Sequence, residues 1–108
     1  MARRDGPRIT GAIIAYQLRE LPLPRKARFT EKILGQDRKV GDRTYHRRGM
    51  LDQIPHWKVS RGVLLVRSEH RVRVVKALRQ WTQEVEWWEV TLTRPQARRL
   101  ASLPAQAF

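Results

Sequence analysis

The chain has 108 residues and sets 23 Lys and Arg against 10 Asp and Glu, a formal net charge of +13. That length makes one domain with room for a real core, and a hydrophobic content of 41% excludes a simple disordered basic tail. With no cysteine there is no disulfide, thiolate metal site or Cys nucleophile; no apolar run reaches the roughly 18 residues of a membrane span. The segment from Ile9 to Leu23 contains Gln17, Arg19 and Glu20, so it does not read as a signal-peptide core, and a cytoplasmic protein is expected.

In chain order, Ile9, Ile13 and Tyr16 fall at helical spacing with Ala12 and Leu18 beside them. They predict a helix from Ile9 to Glu20, ended by Leu21-Pro22-Leu23-Pro24. A second helix is expected from Pro24 to Leu34, with Pro24 in its first turn and Gly35 as its stop. Gly41-Asp42 between Arg38-Lys39-Val40 and Arg43-Thr44-Tyr45 is a hairpin signal. Gly49 to Ile54 reads as one helical turn stopped by Pro55. His56 to Val59 is a strand, Ser60-Arg61-Gly62 a turn, and Val63 to Val66 a buried strand. Ser68 opens a helix whose apolar stripe is Val72, Val75, Leu78 and Trp81. Val85 to Leu92 is the next strand, and Thr93 with Pro95 starts a last helix running through Leu103. Strand, helix, strand reads as a βαβ unit with Val63–Val66 and Val85–Leu92 parallel. The expected fold is α+β: a small mixed β-sheet containing that unit, two N-terminal helices and a C-terminal helix, mainly on one side, in a single domain spanning 1–108.

The charge is unevenly spread. Arg25 to Arg48 carries nine cations against three acids, and Trp57 to Arg79 seven against one. Gln80 to Leu92 has no cation and three acids, Glu84, Glu86 and Glu89. All but five of the cations (Lys26, Lys32, Lys39, Lys58 and Lys76) are Arg, whose planar fork suits phosphate and whose face stacks on rings. A polyanion is the natural partner of such a domain, because self-repulsion at +13 needs a compensating benefit. A solvated helix face accounts for any single Arg, but not for the ensemble.

Aromatics interleave with these cations. Phe29 follows Arg25-Lys26-Ala27-Arg28, Tyr45 sits within Arg43-Thr44-Tyr45-His46-Arg47-Arg48, and Trp57 precedes Lys58. Phosphate contacts and stacking platforms together are what single-stranded nucleic acid requires. The expected binding surface comprises Arg25, Lys26, Arg28, Phe29 and Lys32 on the second helix. To these it adds Arg38, Lys39, Arg43, Tyr45, Arg47 and Arg48 around the hairpin, then Trp57, Lys58 and Arg61, and finally Arg73 and Lys76 on the βαβ helix. Trp81 belongs to the apolar stripe and reads as core. Trp87 and Trp88 alternate across their strand; with Glu86 and Glu89 beside them, they read as a dimer contact or second-layer packing.

Catalytic chemistry is not written in the chain. Gly35, Gly41, Gly49 and Gly62 are isolated turn glycines, not a phosphate loop. His46, His56 and His70 lack metal-ligand spacing and read as exposed polar residues, so no metal and no cofactor is expected. Asp37, Asp42 and Asp52 imitate a nuclease cluster only loosely, since two-metal chemistry needs converging carboxylates and their neighbours are cationic. A helix-turn-helix would need a short turn where this chain has two prolines.

Several segments taken together carry a family likeness: Arg25-Lys26-Ala27-Arg28, Lys32-Ile33-Leu34-Gly35, Tyr45 with Arg48-Gly49-Met50-Leu51, Val63-Leu64-Leu65-Val66, a basic amphipathic helix and a Trp-bearing strand. From Leu18 to Leu92 the chain resembles the archaeal, thermophile proteins related to ThermoDBP, which bind single-stranded DNA without an OB-fold. The resemblance implies a cleft of basic and aromatic residues and self-association, although this chain has no heptad run for a leucine zipper. The expected function is therefore non-enzymatic binding of single-stranded nucleic acid, DNA before RNA, with weak sequence preference and no membrane partner. A ribonucleoprotein component and a duplex-DNA-binding protein are the alternatives.

Overall fold

The segment Ile9–Tyr16 is a strand, β1, not the first half of a helix, in the computed structural model, which describes residues 9–102. The chain continues through α1 (Leu23–Phe29), which widens into a π-helical turn (Thr30–Leu34). There follow β2 (Gln36–Val40), β3 (Arg43–Arg47), a 3-10 turn (Met50–Gln53), β4 (His56–Ser60), β5 (Val63–Arg67), α2 (Ser68–Arg79), β6 (Val85–Leu92) and α3 (Arg94–Ser102). The expected pair of N-terminal helices is thus one strand and one helix.

The misreading has a physical origin. β1 is an inner strand, paired antiparallel with β5 on one side and β6 on the other. Both of its faces are largely covered, so its apolar residues run almost continuously and mimic helical spacing. Its three isoleucines and Thr10 favour a pleated surface. Gly11 serves a close approach: a Cβ there would lie 2.8 Å from the Val66 carbonyl oxygen and 3.2 Å from Leu92 Cδ1.

The four-stranded sheet has the order β4-β5-β1-β6, and all its pairings are antiparallel, not mixed. β5 and β6 do run in the same direction, but β1 lies between them, so the expected βαβ unit is split. Arg19 closes the sheet end by donating to both carboxylate oxygens of Glu84, at 2.8–3.1 Å.

One sheet face presents Ala12, Ile14, Tyr16, Leu64 and Val66 to the main core, where Val74, Val75 and Leu78 of α2 meet Phe29, Ile33, Leu51 and Ile54. The expected stripe holds at Val75, Leu78 and Trp81 but not at Val72, which is exposed while Val74 is buried. Ser68 does not cap α2; its hydroxyl donates to Thr10 at 2.7 Å. α3 lies on the opposite face, so the helices are not all on one side. Its Ala97 and Leu100 pack with Leu92, Ile9, Leu65 and Val90. Thr93 and Gln96 cap α3 reciprocally, Gln96 N–H to Thr93 Oγ1 and Thr93 N–H to Gln96 Oε1. The expected end of this helix at Leu103 lies outside the described residues. Among the described residues no helix is long and apolar enough to cross a membrane.

Candidate nucleic-acid interface

β2 and β3 form a hairpin whose tip, Gly41-Asp42, has Gly41 at φ 64° as a two-residue turn demands. Opposed residues share a face, so Arg38 with Tyr45, Val40 with Arg43, and Gln36 with Arg47 stand together. Every one of these six side chains is exposed. The other face carries Asp37, Lys39, Thr44 and His46.

His46 is what fixes the hairpin's orientation. Its Nδ1 lies 2.8 Å from Asp37 Oδ1, and its Nε2 lies 2.6 Å from Oδ2 of the buried Asp52, in the 3-10 turn. Asp52 Oδ2 also accepts the Gly49 N–H at 2.7 Å. The hydrogen bond to Asp37, then that to Asp52, raises the His46 pKa above the usual 6.5 and favours the imidazolium, which donates from both nitrogens. Gly35, at φ 85°, leaves no room for a Cβ, which would stand 2.6 Å from Asp52 Oδ2. His46 is therefore half-buried rather than exposed. His56, in the sheet, is not exposed either: it is buried, with Nδ1 2.8 Å from the Ile54 carbonyl oxygen. Of the three aspartates weighed as a nuclease cluster, Asp37 and Asp52 do converge, but on His46; Asp42 stays at the hairpin tip. Among the described residues no group of three or more His, Asp and Glu is arranged to hold a metal ion.

Two basic hollows lie beside α1 and its π-helical turn. One, of about 480 Å³, lies between α1 and the β4–β5 turn, with Lys26, Lys58, Arg61 and Arg19 around Tyr16. Burial pushes the Tyr16 phenol up, against the opposing pull of Arg61. The other, of about 510 Å³, gathers Lys32, Arg47 and Arg48 beside Glu31 and Gln53. Arg28 and Lys39 are exposed on their elements, and Arg73 reaches Gln53 Oε1 at 3.3 Å.

The aromatic expectations divide. Phe29 is a correction: it is fully buried, 5.4 Å from the Tyr16 ring and 5.9 Å edge-on from Trp81, so it offers no ligand a surface. Its neighbours are basic in sequence, but the helix turns it inward. Trp81 packs against the core as expected, with Arg25 over its ring at 4.7 Å and the Arg25 guanidinium donating to the Gln80 carbonyl at 3.2 Å. Trp57 is exposed but faces away from Lys58, because strand neighbours alternate; its companion is Arg99 of α3, 4.7 Å from the ring centroid. Trp87 is covered by Arg71 at 3.9 Å, above a hollow shared with Val72, Lys76 and Arg79.

Sequence reasoning left out Arg71 and Arg99, which meet their tryptophans only through the packing of helices on the sheet, and no local signal marks them. The helix pair weighed for a helix-turn-helix is absent, since its first member is β1. Compared with known proteins, the chain matches no family model, no curated protein and no solved structure at significance.

Proposed function

We propose that this chain is a non-enzymatic, cytoplasmic module that binds single-stranded nucleic acid, DNA before RNA, with weak sequence preference. The observation that carries the reading is the outward face of the β2–β3 hairpin, where Tyr45 stands between Arg43 and Arg47 and opposite Arg38. Cations that hold a phosphate backbone there bring its bases to an exposed ring. The hollow with Lys32, Arg47 and Arg48 continues the cationic track from the hairpin, and that with Lys26, Lys58 and Arg61 adds cations beside α1. Kinship with the ThermoDBP-related proteins belongs to the same proposal, and the self-association that goes with it is expected only once bound nucleic acid neutralises the +13.

Fluorescence anisotropy with single-stranded DNA, single-stranded RNA, duplex DNA and anionic vesicles tests it. Single strands should bind more tightly than a duplex of the same phosphate count, and vesicles should not compete. Equal or tighter binding to duplex, or to vesicles, overturns the reading.

A further inference from the structure

The strand registers align four side chains in one row across the sheet face that carries α3: Trp57 on β4, Leu65 on β5, Ile13 on β1 and Trp88 on β6. α3 covers only one end of this face. Leu65 and Ile13 are half-buried, and the two tryptophans stand at the outer strands, three strand spacings or about 14 Å apart. Beside the row a hollow of about 460 Å³ is lined by Ile13, Trp57, Val59 and Leu65, with Gln96 and Arg99 of α3 as its polar groups.

Trp88 differs from the other tryptophans. Trp57, Trp81 and Trp87 each have an Arg guanidinium over the ring, whereas among the described residues no cation or second ring is stacked on Trp88. It is also the most exposed of the four, at 66%. A chain that covers its other three tryptophans with Arg, and leaves this one bare on an apolar floor, presents a flat π surface to something else.

We infer that this row is a nucleobase-stacking platform, distinct from the hairpin face, with Trp88 as its open stacking position and Arg99, over the Trp57 ring, as its phosphate-holding end. The inference rests on the single-strand reading above and adds a site to it. Charge selects the occupant: a second copy would bring another +13 to the contact, whereas a nucleic acid strand neutralises it. Glu86, on the same face two residues before Trp88, repels phosphate. The backbone is therefore directed to the Arg99 end, and only a base reaches Trp88.

The experiment compares wild type, Trp88→Ala and Trp88→Tyr, each checked for an unchanged melting curve, against an oligothymidine and an abasic oligomer with the same number of phosphates. Wild type should prefer the oligothymidine. Trp88→Ala should bind it roughly 5- to 150-fold more weakly, the span of one lost base stack. Its affinity for the abasic oligomer and its salt slope should be unchanged, and Trp88→Tyr should recover most of the loss. If Trp88→Ala binds oligothymidine like wild type, the platform is overturned while the hairpin reading stands. If that variant instead converts a dimer to a monomer in sedimentation without changing binding, the face joins two copies and the platform is likewise overturned. Should wild type bind neither oligomer, both readings fall.

Discussion

At the scale of single residues, His46 links the hairpin's orientation to pH. Its pKa is raised by the Asp37 and Asp52 hydrogen bonds, so the folded state favours its charged form relative to the unfolded chain. The stabilisation is complete below the unfolded value of 6.5 and is lost as pH rises through the folded value above it. Melting temperatures of wild type should thus fall across that interval relative to His46→Gln, in which the dependence should vanish. A parallel pair of curves would remove His46 from the account. Phe29 makes a second prediction: Phe29→Ala should cost about 3–5 kcal/mol in denaturant titration, as a buried ring deleted from a packed core. Binding measured under conditions where the variant remains folded should be unaffected. Residue identity alone revealed the hydrogen-bonding capacity of His46 but not its partners, because Asp37 reaches it across a strand pair and Asp52 through a turn. It misplaced Phe29, since a basic run says nothing about which side of a helix turns inward.

At the scale of elements, the hairpin was legible because its signals are local: Gly41-Asp42 between two short runs fixes both turn and register. The same holds for β4 and β5 around Ser60-Arg61-Gly62, for β6, and for the start of α3 at Thr93 with Pro95 in its first turn. β1 was not legible, because a strand covered on both faces loses the alternation that marks strands. In α2 one stripe position differs, Val74 in place of Val72, since the two valines flank Arg73 and only packing decides between them. A separable contribution from the hairpin is expected from Arg38→Glu combined with Arg43→Glu. Both side chains are exposed on the outward face, so affinity for single strands should drop by roughly tenfold per cation. The melting temperature should scarcely move, and a variant that unfolds would show that the hairpin is part of the core.

On the scale of the whole molecule, the two basic zones read from the sequence map onto the hairpin, α1 and their hollows and onto α2, while the acidic segment Gln80 to Leu92 forms the turn after α2 and the outer strand β6. Charges on an outer strand discourage edge-to-edge association, which the +13 opposes as well. If about four to six phosphates are neutralised, the logarithm of affinity for single strands should fall against the logarithm of salt with a slope near −3 to −4. A flat response in that titration would leave the cations without a role in binding. The sign and segments of the charge were available from composition; which cations share a surface was not, because that depends on the split sheet topology.

The split sheet also sets the order of assembly. β1 precedes every other described strand in the chain, yet Ile13 finds its two cross-strand partners, Leu65 and Trp88, only once β5 and β6 exist. The β2–β3 and β4–β5 hairpins close locally and carry little loop-closure entropy, so they are free to form early. The central strand instead waits with both edges unpaired until β5 arrives, and with one edge open until β6 follows. Folding is therefore paced by its most distant contacts, and a nascent chain that ends before Val85 leaves one edge of an apolar strand open to other chains.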